Sequence, residues 1–419
     1  MATTRSFSDM LNEYLPNKLL KEELLKRNWL LQNIEKDNSW AGSSIIVPFK
    51  GSRATSVEFG QLAAGSDVSE DQFVRGEISS YQEVWGTIAL NHRDLIDHEG
   101  KIPEATFIKL ISETVDDFAD YMNQVVSVAL TTGPHFAKAA GDGGADGTIV
   151  VDKVDRFYLG QKVVLDDGNS TQANFYVIAI NVDDADITLS ATRGGAFAAA
   201  VADYTVAQNA KFYHPGVWNG ATSSTFTSLR DALLSAANGG SASLHGQTKT
   251  AYPFLQAVNV PGSDVTSANI LDKLFDAYTK IQNKAKGRAN TVLMSLSNLG
   301  VIMKLIQIEK GPYHVSPGDK KAMEYGWNEI MIGSTTGQSL KLVGIQEMDS
   351  DAIYFLDMKS MVFRSKGFFR KRKGPNGNEY FEERATSGYR YLIDTCLFGQ
   401  LEVNKPGHNG VLHSISLSY

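Results

Sequence analysis

Several strings in this chain carry residue types that do chemistry in enzymes. His92 to Glu99 reads HRDLIDHE. A kinase-type catalytic loop needs an Asp base there and an Asn metal ligand five residues further on. Glu99 stands at the Asn position, and no glycine-rich loop, paired lysine or Asp-Phe-Gly accompanies the string. Phosphate cradles place a glycine turn ahead of a helix start, with Lys and Ser/Thr behind it. Gly141 to Gly147 (GDGGADG) runs instead into TIVVDKV, a strand pattern without Gly-Lys-Ser/Thr, and reads as a linker. The histidines at 92, 98, 135, 214, 245, 314, 408 and 413 never pair at helical ligand spacing. Asp183, Asp184 and Asp186 lack the alternating oxygens and closing Glu of a calcium loop, so a tight turn is the better reading. The expectation is no catalytic residue, no metal and no cofactor.

The most informative charged element is Arg364 to Lys373 (RSKGFFRKRK), followed by the turn residues Gly374 to Asn378 and then EYFEER. Pro, Asn and Gly favour a turn, so the basic and acidic strands are expected to face each other as a hairpin. Mutual screening within that hairpin is one reading, and contact with acidic groups elsewhere is a second. DNA contact is a third. Phe368, Phe369, Tyr380, Phe381, Tyr389 and Tyr391 nearby have the types of a base-stacking platform, although strand alternation explains most of them as core.

Bulk properties narrow the function classes. The 419 residues are 42% hydrophobic and 21% charged, which suits two or three packed globular units and argues against disorder. A net charge of −7 with interspersed signs offers no global basic field for nucleic acid. Cys396 is the single cysteine, so an internal disulfide and a four-cysteine zinc site are both excluded within one chain. Met1 to Asp9 lacks the parts of a signal peptide, and nowhere do about 18 apolar residues run together. A soluble protein folded in a reducing cytoplasm is expected.

The elements that must position these residues are legible from periodicity. Lys18 to Ile34 reads as a short amphipathic helix that either caps its own domain or reaches a neighbouring subunit. Ser43 to Leu90 alternates apolar and polar residues between glycines and reads as a long β-hairpin with too little core of its own. Pro103 opens the strongest helix, to about Thr131, where Gly133 and Pro134 stop it. Its apolar stripe runs through Phe107, Leu110, Ile111, Val115, Phe118, Met122, Val125, Val126 and Ala129, and its length of about 40 Å makes it a spine for something extended. Thr148 to His214 gives strand after strand, entered and left through Gly133, Pro134, Pro215 and Gly216, as an inserted all-β unit would be. A helix near Ser267 to Gly287, a buried strand TVLMS and a helix from Leu299 to Ile308 suggest an α/β layer, and the last quarter is strand-rich.

This order resembles the major capsid proteins of tailed bacteriophages of the Hong Kong 97 type. The closing run GYRYLIDTCLFGQLEVNKPGHNGVLHSI is similar to that family's last strands. The resemblance implies an α+β, Hong Kong 97-like capsid fold with an inserted small all-β domain. The segments would be an N-terminal arm (1–42), an extended loop (43–90) and a peripheral domain with spine helix (91–134). An insertion (135–216), a mainly axial domain (217–360) and a β-rich peripheral end (361–419) would follow. It implies a non-enzymatic shell subunit that assembles with itself into hexamers and pentamers, in the host cytoplasm, to form the virion capsid around double-stranded DNA on its inner face. A separate scaffold protein, a portal and a decoration or cement protein are implied partners, and no membrane is. Glu58, Glu77, Glu83, Arg53, Arg75, Lys366, Arg370 and Arg372 are the candidate intersubunit contacts. A nanocompartment shell of the encapsulin type shares the implied fold, and a soluble α/β enzyme with a β insertion is the rival of another class.

Overall fold

The structure is a computed structural model. It describes residues 28–40, 42–50, 73–91, 104–140, 148–166, 172–192, 210–217, 225–285, 289–310, 329–333, 339–366, 370–371, 381–385, 388–415 and 417. The start of the amphipathic helix, HRDLIDHE, GDGGADG, Arg53, Glu58, Arg372 and the Gly374 to Asn378 turn fall outside those residues. Helices and strands mix as an α+β protein, and the chain divides into two compact units. The first takes Met1–Gln32, Gln82–Phe226 and Ser365–Gln400, and the second takes Asn33–Tyr81, Thr227–Arg364 and Leu401–Tyr419.

In the first unit the expected spine is one helix, Glu104–Thr131. Ala119, Met122, Val126 and Leu130 are buried along it, which is the spacing of three and four that the sequence displays. The helix ends where Gly133 adopts φ +117° and its N–H turns back to the Val128 carbonyl. A left-handed residue cannot continue an α-helix, and glycine reaches that region without a Cβ penalty.

Strand Gln82–Asn91 pairs antiparallel with the long strand Gly388–Val403, from Gln82 opposite Gly399 to Asn91 opposite Arg390. This corrects the expected hairpin. WGTIALN belongs to a sheet with the strand Gly388–Val403, so the ribbon that was expected to reach Leu90 consists of shorter strands. Gly86 explains why this strand lies against the spine helix. A Cβ there would stand 2.3 Å from Phe118 Cζ and 2.9 Å from Met122 Sδ.

A second correction concerns the basic segment. Arg370–Lys371 pairs with Thr395 and Cys396, while Phe381–Ala385 pairs with Gly388 to Leu392, so these two strands are not partners of each other. The physical reason is the connection. Only Thr386 and Ser387 separate Ala385 from Gly388, and a two-residue link closes a hairpin more readily than the longer Gly374 to Asn378 region does.

The insertion is a six-stranded sheet whose order is His135–Lys138, Lys211–Tyr213, Lys162–Asp166, Gln172–Asn181, Asp186–Ser190 and Thr148–Val150. Its two ends meet. Ala139 bridges Val151, Ala140 N–H donates to Val150 O at 2.8 Å, and Asp152 N–H donates to Lys138 O at 3.0 Å. The sheet therefore closes as a small barrel around Phe136, Phe157, Phe212, Leu165 and Val177, and closure removes its open edges. Its first and last strands are neighbours, as an inserted unit requires. The acidic run is a turn: the Asn181 side chain accepts the N–H groups of Asp183 and Asp184, and Ala185 takes φ +53°.

The second unit is built on a mixed six-stranded sheet ordered Val258–Pro261, Gly410–His413, Ala352–Leu356, Thr291–Ser295, Ser339–Ile345, Glu329–Gly333. The two middle strands are buried at every residue, which is why TVLMS and AIYFL read as continuous apolar runs. Helices Ile270–Ala285 and Leu296–Lys310 lay Leu274, Ile281, Leu299 and Ile302 on Val292, Leu342, Phe355 and Leu412. The first helix begins three residues after Ser267. Thr266 and Asn269 organise its start, through Thr266 N–H to Asn269 Oδ1 at 2.7 Å and Ile270 N–H to Thr266 O at 3.1 Å. Among the described residues no helix is long and apolar enough to cross a membrane.

Gly86→Ala is expected to destabilise the first unit by about 1–3 kcal/mol, the usual cost of overpacking. Thermal unfolding followed by circular dichroism measures this, and adding Phe118→Leu should return much of the lost melting temperature. A Gly86→Ala chain as stable as the parent would show that the helix and strand do not meet as described.

Candidate assembly surfaces

The expected extended loop keeps a two-stranded root in the second unit, where Ile45–Lys50 pairs antiparallel with Phe73–Ile78. Strand alternation sorts its residues by face. Val47, Phe49, Gly76 and Ile78 are buried, while Ile46, Pro48, Lys50, Phe73, Arg75 and Glu77 are exposed. The register sets Ile46 opposite Glu77, Pro48 opposite Arg75 and Lys50 opposite Phe73. Lys50 Nζ lies 5.8 Å from the Phe73 ring centroid, a cation–π distance. With Ile46 53% and Phe73 62% exposed, the outer face combines apolar area with two cations and one carboxylate.

The inner face is held by a tight turn. Ser243–Leu244 and Gln247–Thr248 form a hairpin whose two loop residues, His245 (φ +47°) and Gly246 (φ +77°), both adopt positive φ, as a type I′ turn demands. The His245 carbonyl accepts the Glu77 N–H at 2.8 Å, its ring stacks on Phe49 with centroids 5.9 Å apart, and its Nε2 accepts the Val403 N–H at 3.1 Å. Gln247 Nε2 donates to Arg75 O at 2.8 Å. Gly76 is required, because a Cβ would lie 2.4 Å from the Phe49 ring. Burial, helped by the Lys249 cation, pushes the His245 imidazole down to about 4. Lys249 itself is brought to about 8 by burial, and its Nζ donates to Asp231 O and Leu234 O.

A second polar centre fastens the N-terminal segment. Glu35–Asp37 pairs in parallel with Met361–Arg364. Arg364 Nε donates to Glu402 Oε2 at 2.5 Å, and its Nη1 donates to Asp37 Oδ2. The hydrogen bond to Glu402, then the charges of Glu402 and Asp37, hold the guanidinium above its ordinary value against the opposing effect of burial. Asp37 is held low, chiefly by hydrogen bonds from Ser39 and also by Arg364.

In the first unit the candidate Glu83 lies on an exposed sheet face beside Trp85, whose indole Nε1 donates to Glu83 Oε2 at 2.7 Å. Trp85 is 52% exposed and meets Phe398 edge-on at 5.9 Å, and Thr87 donates to Asp394 at 2.7 Å on the same face. The register sets Trp85 and Arg370 on either side of Cys396, whose thiol is pushed up to about 12 by burial and by Glu83. Lys366 is exposed in the same unit. Of the candidate contacts, then, Arg75 and Glu77 share one face of the ribbon, and Glu83 shares its face with Trp85. The sequence reading missed Trp85, Arg364 and His245. The His245-Gly246 pair between short strands was the available signal for the last.

The enzyme alternative is tested by the polar clusters. Asp357, Ser360, His408 and Asn409 lie together, with His408 Nδ1 at 3.2 Å from Asp357 Oδ2. The buried Ser360 hydroxyl donates to Asp357 O at 2.7 Å and accepts from Asn409, so it bonds to loop groups rather than to the imidazole. A nucleophile needs its base within hydrogen-bond reach, and this geometry ties down a turn instead. Arg230 likewise clamps Asp351 at 2.9 Å and Gly239 O at 3.2 Å. Among the described residues no group of three or more His, Cys, Asp or Glu side chains could hold a metal ion.

No family model and no curated relative matches the chain. Solved structures of similar shape include the capsid of a native GTA particle (13% identity, 93% of this chain and 91% of that one, TM-score 0.48). The capsid of cyanophage A-1(L) is another (12%, 99% and 95%, TM-score 0.44). A third is a virus-like particle from Pyrococcus furiosus (9%, 94% and 96%, TM-score 0.34).

Arg364→Met would leave the Glu402 carboxylate, 3% exposed, without its cation. Stranding a buried charge typically costs about 3–5 kcal/mol. Urea unfolding should show that loss, and Arg364→Met with Glu402→Met should recover most of it. Equal losses in the single and double variants would mean that the pair is not coupled.

Proposed function

We propose that this chain is the shell subunit of a tailed-phage-type capsid, assembling with copies of itself into hexamers and pentamers that enclose double-stranded DNA. The observation that carries this reading is the ribbon Ile45–Lys50 and Phe73–Ile78. One of its faces is fastened to the chain's own second unit, and the other presents Ile46, Pro48, Phe73, Lys50, Arg75 and Glu77 to solvent. An exposed apolar face rimmed by charges suits contact with another protein surface. The element order agrees with the resemblance drawn from the sequence: hairpin, spine helix, inserted barrel, α/β sheet and closing strands. In this reading Glu83, Lys366, Arg370 and the cations of the ribbon contribute intersubunit contacts, with a scaffold, a portal and a decoration protein as further partners. Assembly takes place in the host cytoplasm, and the subunit catalyses nothing.

The test is assembly itself. The purified full chain, alone and with the products of neighbouring genes, should give rings of five and six or closed shells in negative-stain electron microscopy. A uniformly monomeric or dimeric particle under every condition would return the enzyme alternative. Shells filled with protein instead of DNA would favour the encapsulating compartment.

Reversing the charges with Lys50→Glu and Arg75→Glu should abolish assembly while leaving the circular dichroism spectrum unchanged, because both side chains sit on the exposed face. The same reversal at Arg370 and Arg372 tests the basic segment. Full assembly by either variant removes that surface from the interface.

A further inference from the structure

We infer that the His245 turn is an acid-labile latch: it fixes the root of the ribbon while its imidazole is neutral and releases the ribbon when Nε2 takes a proton. The inference does not rest on the capsid reading, because every contact in it lies within the second unit of a single chain.

The geometry makes one ring hold two elements. Stacking on Phe49 and the bond from Glu77 N–H to the His245 carbonyl attach the ribbon to the turn. The bond from Val403 N–H to Nε2 attaches the turn to the closing strand. An imidazole nitrogen accepts only while unprotonated. Protonation would set an N–H against the Val403 N–H at 3.1 Å, and a buried donor facing a donor is strongly unfavourable. The ring then has to leave, and the Phe49 stacking and the bond from Glu77 N–H to the His245 carbonyl are lost with it. The bond from Gln247 Nε2 to Arg75 O also joins the ribbon to this segment and does not titrate.

The surroundings favour the neutral ring. Lys249, on the turn's own segment, opposes a second positive charge. Glu402, beside Val403 on the closing strand, is engaged by Arg364. On the ribbon, Arg75 and Glu77 are exposed at the outer face, where solvent screens them. The Phe49 face would attract a cation, which offsets part of the penalty without restoring the lost acceptor.

The sign follows from linkage. An imidazole that titrates near 4 when latched and near its ordinary 6.5 when released takes up protons on opening. The latch is at full strength above about pH 6.5 and weakens progressively as the pH falls toward 4. Opening should become about 100-fold more favourable across that interval.

Amide hydrogen exchange on the full chain, corrected for intrinsic rates and followed by mass spectrometry from pH 7.5 to pH 4, tests this directly. Segments containing Glu77 and Val403 should lose protection by about 100-fold while strand Thr291–Ser295 keeps its own. Exchange at the His245 ring carbon, read in the same spectra, should titrate in the same interval as the release. His245→Gln, whose amide oxygen can accept without titrating, should hold the ribbon at every pH. Three outcomes would overturn the latch: protection that is independent of pH, simultaneous loss in Thr291–Ser295, or a ring titration that does not coincide with release. The ring readout needs no variant, so a poorly folded His245→Gln chain leaves the test decisive.

Discussion

A two-stranded ribbon has two faces, and backbone pairing alone does not stabilise it in water. That constraint organises much of what the second unit displays. Val47, Phe49, Gly76 and Ile78 turn inward, and the Ser243–Thr248 segment meets Phe49 and Gly76 there. Because the side-chain period of a strand is two, fixing that inward face commits Ile46, Lys50, Phe73, Arg75 and Glu77 to the outside. A slip of one residue would bury the charged set and expose Phe49, so the register is as strongly specified as the packing. The outward surface is thus a consequence of how the inward one is held.

Several buried polar groups of the second unit share one arrangement. They are tied to a backbone group or a countercharge near a turn or strand end. Lys249 caps the carbonyls of Asp231 and Leu234, Arg230 clamps Asp351, and Asn409 ties Ser360 and Asp357 to the last turn. Such groups are expensive to bury unpaired, so a chain keeps them where irregular backbone has to be fixed in one geometry. Arg364 applies this to the N-terminal segment: a three-residue parallel strand carries little pairing of its own, and the two carboxylates of Asp37 and Glu402 around one guanidinium supply the rest.

How much of this was legible depends on whether the information was local. The spine helix was, because Pro103, Gly133 and the three-four spacing all lie within one segment. TVLMS and the barrel strands after Thr148 were legible for the same reason, whereas His135–Lys138 was not read as a strand. Partner choice was not. WGTIALN has the same alternation whether it pairs with the ribbon or with a strand near the other end of the chain, and the register with Gly388–Val403 joins residues about 300 positions apart. The basic and acidic strands misled through composition. Opposite charge suggested pairing, whereas the short link at Thr386 and Ser387 decided it. Arg364 lay at the start of a string read for its net charge, and its partners come from opposite ends of the chain. Of the candidate contacts, those on strands could be assigned a face once the register was known, which is why Arg75, Glu77 and Glu83 acquire neighbours here.

The contrast between the two kinds of surface bears on function. An active site concentrates polar groups that converge on a space and remain free to act on whatever enters it. Around His408, Arg230 and Lys249 the polar groups bond to nearby backbone or to a countercharge, while strand faces present Ile46, Phe73 and Arg75 on the ribbon and Trp85 and Glu83 on the first unit's sheet to solvent. Flat faces with an aromatic anchor and a charged rim are poor at enclosing a small molecule and good at meeting another protein. Burial on the inner side of each strand holds the outer side in a fixed register.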